Sequence, residues 1–531
     1  MDSYDDVRII MDSLDNSGKP SSLERFSSDL LHQASDQVIA GDLHNNYIRK
    51  PKKKSLEEDP LQLCEISFDA NSWSIYKVPS PLREVNEKAY EPNVISIGPY
   101  HHGKEHLKTM EVIKRNCFGR MIKQSKAEAQ KFVSAIKTIE KGVRKFYEQP
   151  LDRFDSDTFV EMMVLDGCFI VLLFQKNDYL VKNLRRLKKG TRMEIFYDLL
   201  LLENQLPFFV LLKLYGMIKM SNVEIDEFPT LVFSLYSKDL LPGPEICLPK
   251  KFPEPKNIKH LLGFVHSCWL PSGRKRHFKE AEAKANAKAK AKAEAKEPIA
   301  QRLRTFICCG REQEEEGSKR SWKFIRCATE LEEAGINFVN KGKELQYKEW
   351  KHKKGEEVQG KKGKASLFEV DFTDDGTLKI PTLRVEDNTE RILRNFLAYE
   401  QFLRGSKSTY YIGDYVTLMD SLINSGKDVQ LLCNREIVVN SLGDDEVVAQ
   451  MFNKLGDFIY PSDDFNNFYY ADIFEKVDKH CKKRRNIWKA KLKQDYFNSP
   501  WSFISVVAAV VLLLLTMVQT VFSALSYVHP Q

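Results

Sequence analysis

Two short clusters hold the residue types from which chemistry is usually built. His101-His102-Gly103 follows Ile97-Gly98-Pro99-Tyr100, and Glu203-Asn204-Gln205 lies between two apolar runs. An imidazole ligates metals or moves protons near neutral pH, and a convergent carboxylate is its common partner in acid–base work. If the fold brings His101, His102 and Glu203 into one pocket, the chain is an enzyme of unrecognised type. Against this, adjacent histidines point different ways on most backbones, and no acid or cysteine stands at a ligand-like spacing from them. The turn reading of Ile97–Tyr100 is simpler: glycine supplies free φ, proline fixes φ, and tyrosine packs down. No Walker A GxxxxGK(S/T), Rossmann GxGxxG after a strand, GxSxG or HExxH occurs. The sequence therefore predicts no enzyme, no cofactor and no metal.

The elements that would position these residues are mostly helical. FVEMMVLDGCFIVLLF (Phe159–Phe174) and IFYDLLLLENQLPFFVLLKLYGM (Ile195–Met217) are long, nearly all-round apolar stretches, and their length favours a central pair of buried helices over strands. Asp166, Glu203, Asn204, Gln205 and Pro207 interrupt them too often for membrane spans. Pro207 should break the second helix, leaving the polar trio to bond the freed backbone groups. Further on, Ala328–Ala334 reads as a helix capped at Gly335. LFEVDFTDDGTLKI (Leu367–Ile380) alternates around Asp-Asp-Gly as a β-hairpin does, and Pro381 ends its second strand. Glu390–Arg404, Tyr411–Asn424 and Glu446–Phe458 read as amphipathic helices. The expected fold class is mainly α: a multi-helix globular body with a small β-hairpin element, plus one C-terminal transmembrane helix.

The chain has 531 residues, 42% of them hydrophobic, with 81 basic and 74 acidic residues, so a folded body is expected and local charge matters more than the total. The expected divisions are a mostly unfolded N-terminal segment (1–60), a first helical half (61–270), a low-complexity insertion (271–322), a second half with the hairpin and helices (323–497), and an anchor with a short tail (498–531). KEAEAKANAKAKAKAEAK (Lys279–Lys296) has nothing large to bury and reads as a solvated helical spacer. Nucleic-acid binding through Lys52–Lys54 and Lys284–Lys296 ranks last among the alternatives. Ten cysteines show no CxxC pair and read as reduced thiols. Cys308 and Cys309 have basic neighbours and are candidates for lipidation, with plain thiols favoured. The acidic N-terminus lacks an apolar h-region, so no secretory signal is expected.

The stretch Phe503–Leu525 has 23 residues without charge or proline, 14 of them Leu, Ile, Val or Phe. As a helix it would span roughly 35 Å, enough for a ~30 Å hydrocarbon core. Its large apolar residues favour insertion by about 4 to 8 kcal/mol at most. Trp501 and Tyr527 bracket it, and Lys482, Lys483, Arg484, Arg485, Lys489, Lys491 and Lys493 precede it with no acid among them. The positive-inside rule predicts a single-pass protein in a lipid bilayer, body in the cytosol, with the basic run near anionic lipid.

Six motifs in order then resemble a known family: Ser74–Pro79 (SIYKVP), Tyr90–Gly103 (YEPNVISIGPYHHG), Leu201–Phe209 (LLENQLPFF), Ala328–Gly335 (ATELEEAG), Arg394–Gln401 (RNFLAYEQ) and Tyr415–Ile423 (YVTLMDSLI). Together they are similar to the plant-specific domain of unknown function 247 family, from about residue 74 to the C-terminus. Its motif positions here include Ile97, Gly98, Pro99, Tyr100, His101, Glu203, Asn204, Gln205, Pro207, Glu400 and Gln401. The resemblance implies a single-pass plant membrane protein of unassigned biochemistry. It also implies kinship with pollen-side recognition components of grass self-incompatibility, and no established catalytic residues. The expected role is recognition of a protein partner at a membrane.

Overall fold

The computed structural model describes residues 74–125, 128–187, 190–218, 227–238, 240–249, 252–254, 257–271, 325–343, 366–403, 410–457, 468–483 and 500–528. The expectations for the N-terminal segment, the Ala/Lys tract, Cys308 and Cys309, and Arg484, Arg485, Lys489, Lys491 and Lys493 lie outside them. The described chain forms two compact units: residues up to Tyr236 together with Lys250–Cys268, and Ser237–Pro249 together with those from Trp269 onward.

The first unit is helical. It holds α1 (Ser80–Val85), α2 (Lys108–Ser125), α3 (Ala129–Lys137), α4 (Glu140–Arg144), α5 (Ser156–Phe174), α6 (Asp178–Arg186), α7 (Thr191–Asp198), α8 (Phe208–Ile218), α9 (Glu227–Tyr236) and α10 (Leu261–Trp269). Helix α5 is the axis: α2, α3 and α8 pack on it. Every residue from Met162 to Phe174 is buried, Asp166 included. An all-round apolar helix needs such a position. Its start is fixed by Asp155, whose carboxylate accepts the Thr158 amide at 2.7 Å. Gly167 lets α8 come close, since a Cβ there would lie 2.3 Å from Leu214 Cδ1. The apolar run Ile195–Met217 is broken as Pro207 demands. Helix α7 stops at Asp198, α8 starts at Phe208, and the polar trio sits between.

The second unit mixes helices with small sheets. Helix α11 (Ala328–Glu333) ends in Gly335 at φ +90° and leads into β1 (Asn337–Asn340). Strands β2 (Asp371–Phe372) and β3 (Thr377–Ile380) pair antiparallel, Phe372 against Leu378, around the expected turn, with Gly376 at φ +88°. Two further pairings come from distant strands. Strand β1 lies parallel to β3, Phe338 beside Leu378. Strand β4 (Leu383–Val385) lies parallel to β5 (Val438–Asn440). The helices are α12 (Thr389–Gln401), α13 (Tyr411–Leu422), α14 (Gly426–Asn434), α15 (Asp445–Leu455) and α16 (Ala471–Cys481). Helix α14 opens on a capping box between Ser425 and Asp428.

The C-terminal helix α17 runs Pro500–Val528, 29 residues, and contains the whole stretch Phe503–Leu525. Its described large apolar side chains stand open, Leu513 at 68% and Met517 at 69%. Counted over the described residues alone, no helix is long and apolar enough to cross a membrane.

Candidate functional site

The segment Pro92–His102 ends in the His101-His102 pair and belongs to no helix or strand. Most of it is nevertheless buried, with Ile95, Ser96 and Ile97 at 0–1% exposure. A buried backbone outside a ladder must bond to side chains, because an unmet amide or carbonyl there costs about 1–3 kcal/mol. Side chains from three helical regions supply those bonds.

Asp198, the last residue of α7, takes the amides of Asn93, Val94 and Ile95 at 2.8–2.9 Å. Asn204 accepts the Ile97 amide at 2.6 Å and donates to the carbonyls of Ile95 and Asp198, each at 3.0 Å. Asp166 takes the Gly98 amide at 2.7 Å. Lys114, wholly buried on α2, donates to the Ser96 carbonyl and to Asp166 and Glu111, each carboxylate at 2.6 Å. Burial holds the Asp166 carboxyl above its ordinary value even against the Lys114 charge. Arg153 donates to the Pro99 carbonyl.

Gly98 makes the turn. Its φ of +72° is left-handed, and a Cβ there would fall 2.7 Å from the Gln205 carbonyl oxygen. Tyr100 packs edge-on against Tyr147, with centroids 5.7 Å apart, and donates to the Ile75 carbonyl at 3.1 Å. Gln205 donates to the carbonyls of Leu199 and Leu201 at 2.7 and 2.8 Å and accepts the Leu262 amide at 3.0 Å. Pro207 bridges to His260, and the neighbouring Phe208 amide donates to Lys259 at 2.8 Å.

Glu203 and His101 meet at one edge of this clamp. Glu203 Oε1 accepts from the Val78 amide at 2.7 Å and from Arg83 Nη2 at 2.6 Å. His101 Nε2 faces Glu203 Oε2 at 3.7 Å, and its Nδ1 faces Glu91 Oε2 at 3.4 Å. These are charge contacts longer than an ordinary hydrogen bond, and neither ring nitrogen has a hydrogen-bond partner among the described residues. Lys104 also binds Glu91. Burial alone would raise the Glu91 carboxyl; the nearness of His101 and the Lys104 bond hold it well below the ordinary range.

His102 turns away from this group. Its ring sits edge-on to Phe154, with centroids 5.8 Å apart. Burial, helped by Lys114, Arg115 and Arg153 and opposed by Glu111, lowers its affinity for a proton. The pairing of His101 with Glu203 is thus present, and a three-residue convergence with His102 is not. Among the described residues no group of three or more His, Cys, Asp or Glu is placed to hold a metal ion.

The motif residues of the second unit do similar work. Glu400, buried near the end of α12, accepts the amides of Ile412 and Gly413 at 2.9–3.1 Å. Its neighbour Gln401 is half-buried. Lys482 pairs with Asp478 at 2.8 Å, and both Lys482 and Lys483 are exposed.

Sequence reasoning singled out Glu203, Asn204 and Gln205 but passed over Lys114 and Asp198 and treated Asp166 only as an interruption. Asp166 had a signal: one acid inside an otherwise apolar helix requires a buried partner. Lys114 had none, since its surroundings in sequence are those of a solvated face.

A family model described as a plant protein of unknown function, DUF247, matches residues 75–515. The UPF0481 protein At3g47200 of Arabidopsis thaliana is 28% identical over 492 residues, covering 91% of this chain and 92% of its own length. A second UPF0481 protein of that plant, At3g02645, is 23% identical over 535 residues, covering 89% of this chain and 93% of its own. No solved structure matches.

Proposed function

The chain belongs to the plant DUF247 family of unknown function, and from that membership we propose a membrane-anchored recognition protein that works through protein contacts and not through catalysis. The observation that carries this reading is α17, a 29-residue helix without a charged residue. It holds its described large apolar side chains in the open, Ile504 at 56% and Phe522 at 66% among them. Lipid is the solvent such a surface suits. The two threonines of its centre fit the same medium: Thr516 donates to the Leu512 carbonyl at 2.8 Å and Thr520 to the Thr516 carbonyl at 2.6 Å. The exposed Lys482 and Lys483 upstream favour a body on the cytosolic side of an anionic leaflet. On the chemical side, Asp166, Asp198, Glu203, Asn204 and Gln205 of the first unit are engaged in holding backbone.

The test is alkaline carbonate extraction of membranes carrying the full chain. The wild type should stay in the pellet. The double substitution Leu513→Arg, Leu514→Arg should release it, because two central arginines cost about 5–7 kcal/mol against a total of similar size. Release of the wild type would overturn the anchor. Crosslinking in intact membranes should then join the body to one protein in fixed stoichiometry. Turnover of a small molecule by the purified chain, with no such adduct, would overturn the recognition role.

A second reading, a tethered acid–base enzyme, draws on the His101–Glu203 contact alone. It predicts that His101→Gln abolishes an activity while leaving the chain folded.

A further inference from the structure

Helix α17 is not equally apolar on every side. Ser505, Ala509, Leu512, Thr516, Gln519 and Ser523 follow one another in alternating steps of four and three residues. At about 100° of turn per residue these six share one narrow stripe along the helix, with Leu512 its one large apolar member. Leu513, Leu514, Met517, Val518, Val521 and Phe522 lie outside it, each more than half exposed. A repeat of about 3.5 residues is the seam of a left-handed pair of helices, and small members on such a seam let two backbones come close.

The stripe carries a group that its own helix leaves unsatisfied. Thr516 and Thr520 spend their hydroxyls on the Leu512 and Thr516 carbonyls. The Gln519 carboxamide, with two N–H donors and an acceptor oxygen, makes no hydrogen bond among the described residues. Hydrocarbon holds no water to serve it, so it needs a partner from outside the helix. A second copy supplies that partner by symmetry. Two copies enter the bilayer the same way round and hold residue 519 at the same depth. Across a twofold axis two carboxamides exchange N–H···O bonds, each giving one and taking one. An unrelated helix would meet the group only by carrying a polar side chain at that depth.

We propose that α17 pairs, parallel and side by side, with α17 of a second copy of this chain. Gln519 bonds its counterpart, and Ala509, Thr516 and Ser523 lie at the close approach. The pairing rests on the membrane placement proposed above, and it makes the anchor a dimerisation element. Lipid is then left to Leu513, Met517, Val518 and the rest of the bulky side.

The test uses the full chain in phosphatidylcholine vesicles, as a mixture of copies carrying a donor or an acceptor fluorophore at the C-terminus. Flotation on a density gradient reads the anchor, and energy transfer on dilution with lipid reads the pairing. The wild type should float, with transfer linear in the acceptor fraction, as a pair requires. Gln519→Leu, which keeps the helix apolar and leaves the body untouched, should also float. Its dissociation midpoint should move at least about fivefold toward higher protein-to-lipid ratio. Adding Met517→Gln to it carries an amide round to the opposite side and should not restore the pairing. Wild type that floats as a monomer, a midpoint unchanged by Gln519→Leu, or recovery by Met517→Gln overturns the pairing and leaves the anchor standing. Wild type that fails to float overturns both.

Discussion

The two units meet the same problem with different chemistry. Each holds backbone amides that no ladder satisfies, and each offers them buried oxygens. In the first unit two of the acids are charge-matched: Asp166 against Lys114 at 2.6 Å, Glu203 against Arg83 at 2.6 Å. In the second unit Glu400 receives the first amides of α13, while Asp428 receives Thr329 at 2.9 Å and Ser425 at 3.0 Å beside the start of α14. Asp414 and Asp428 have no ion-pair partner among the described residues. A helix start brings its own partial positive charge, worth up to about 1–2 kcal/mol to a carboxylate. The irregular segment Pro92–His102 has no aligned peptides to do this, and there Asp166, which takes the Gly98 amide, has Lys114 as its counterion.

Substitutions can break or sharpen this contrast, with each unit followed through its own amides by hydrogen exchange during urea unfolding. The largest effect should come from Lys114→Met. It strips a fully buried acid of its cation and should destabilise the first unit by about 3–5 kcal/mol. A loss below about 1 kcal/mol would mean that Asp166 is carried by the Gly98 amide alone. Gly98→Ala comes next, at about 2–4 kcal/mol in the same unit, since it places a side chain in the left-handed region and against the Gln205 carbonyl.

In the second unit the effects should be smaller and should depend on pH. Burial would raise the Asp428 carboxyl, but the Thr329 bonds, with those of Cys327 and Ser425, outweigh it and lower the group from its ordinary value. A lowered acid contributes stability that is present above its unfolded value, ~4, and disappears as pH falls below that. Asp428→Asn should therefore cost about 1–2 kcal/mol at neutral pH, and the gap from wild type should close on acidification. A gap that widened instead would show that the charge is not what α14 uses. The smallest effect belongs to Tyr415. Its hydroxyl is buried with no hydrogen-bond partner among the described residues, whereas Tyr470 donates to the Phe368 carbonyl at 2.9 Å. Tyr415→Phe should be neutral or stabilising by up to about 1 kcal/mol, and Tyr470→Phe should cost about 1 kcal/mol.

Much of this arrangement could be read in advance wherever a local rule decided it. Pro207 announced a helix break, Gly335 a helix end and Asp-Asp-Gly a hairpin, because each acts within a few residues of itself. What stayed hidden was non-local. The parallel pairs β1–β3 and β4–β5 join strands of three or four residues across 40 and 55 positions, and so short a run leaves no periodicity to detect. The clamp was half visible. Glu203-Asn204-Gln205 was expected to bond backbone, but the Lys114–Asp166 contact spans 52 positions. His101 was visible as chemistry and His102 equally so. Only the fold separates them, turning one toward two carboxylates and the other toward Phe154.

The way the chain is shared between the units bears on how the protein is made. Ser237–Pro249 belongs with the second unit although Lys250–Cys268, which follows it, completes the first. On a ribosome moving at about 5–20 residues per second, that early segment would wait roughly 10–50 s for α12 through α16 to be synthesised. No single cut of the gene yields both halves intact, so a split reporter or a truncated clone would leave one of them missing a piece.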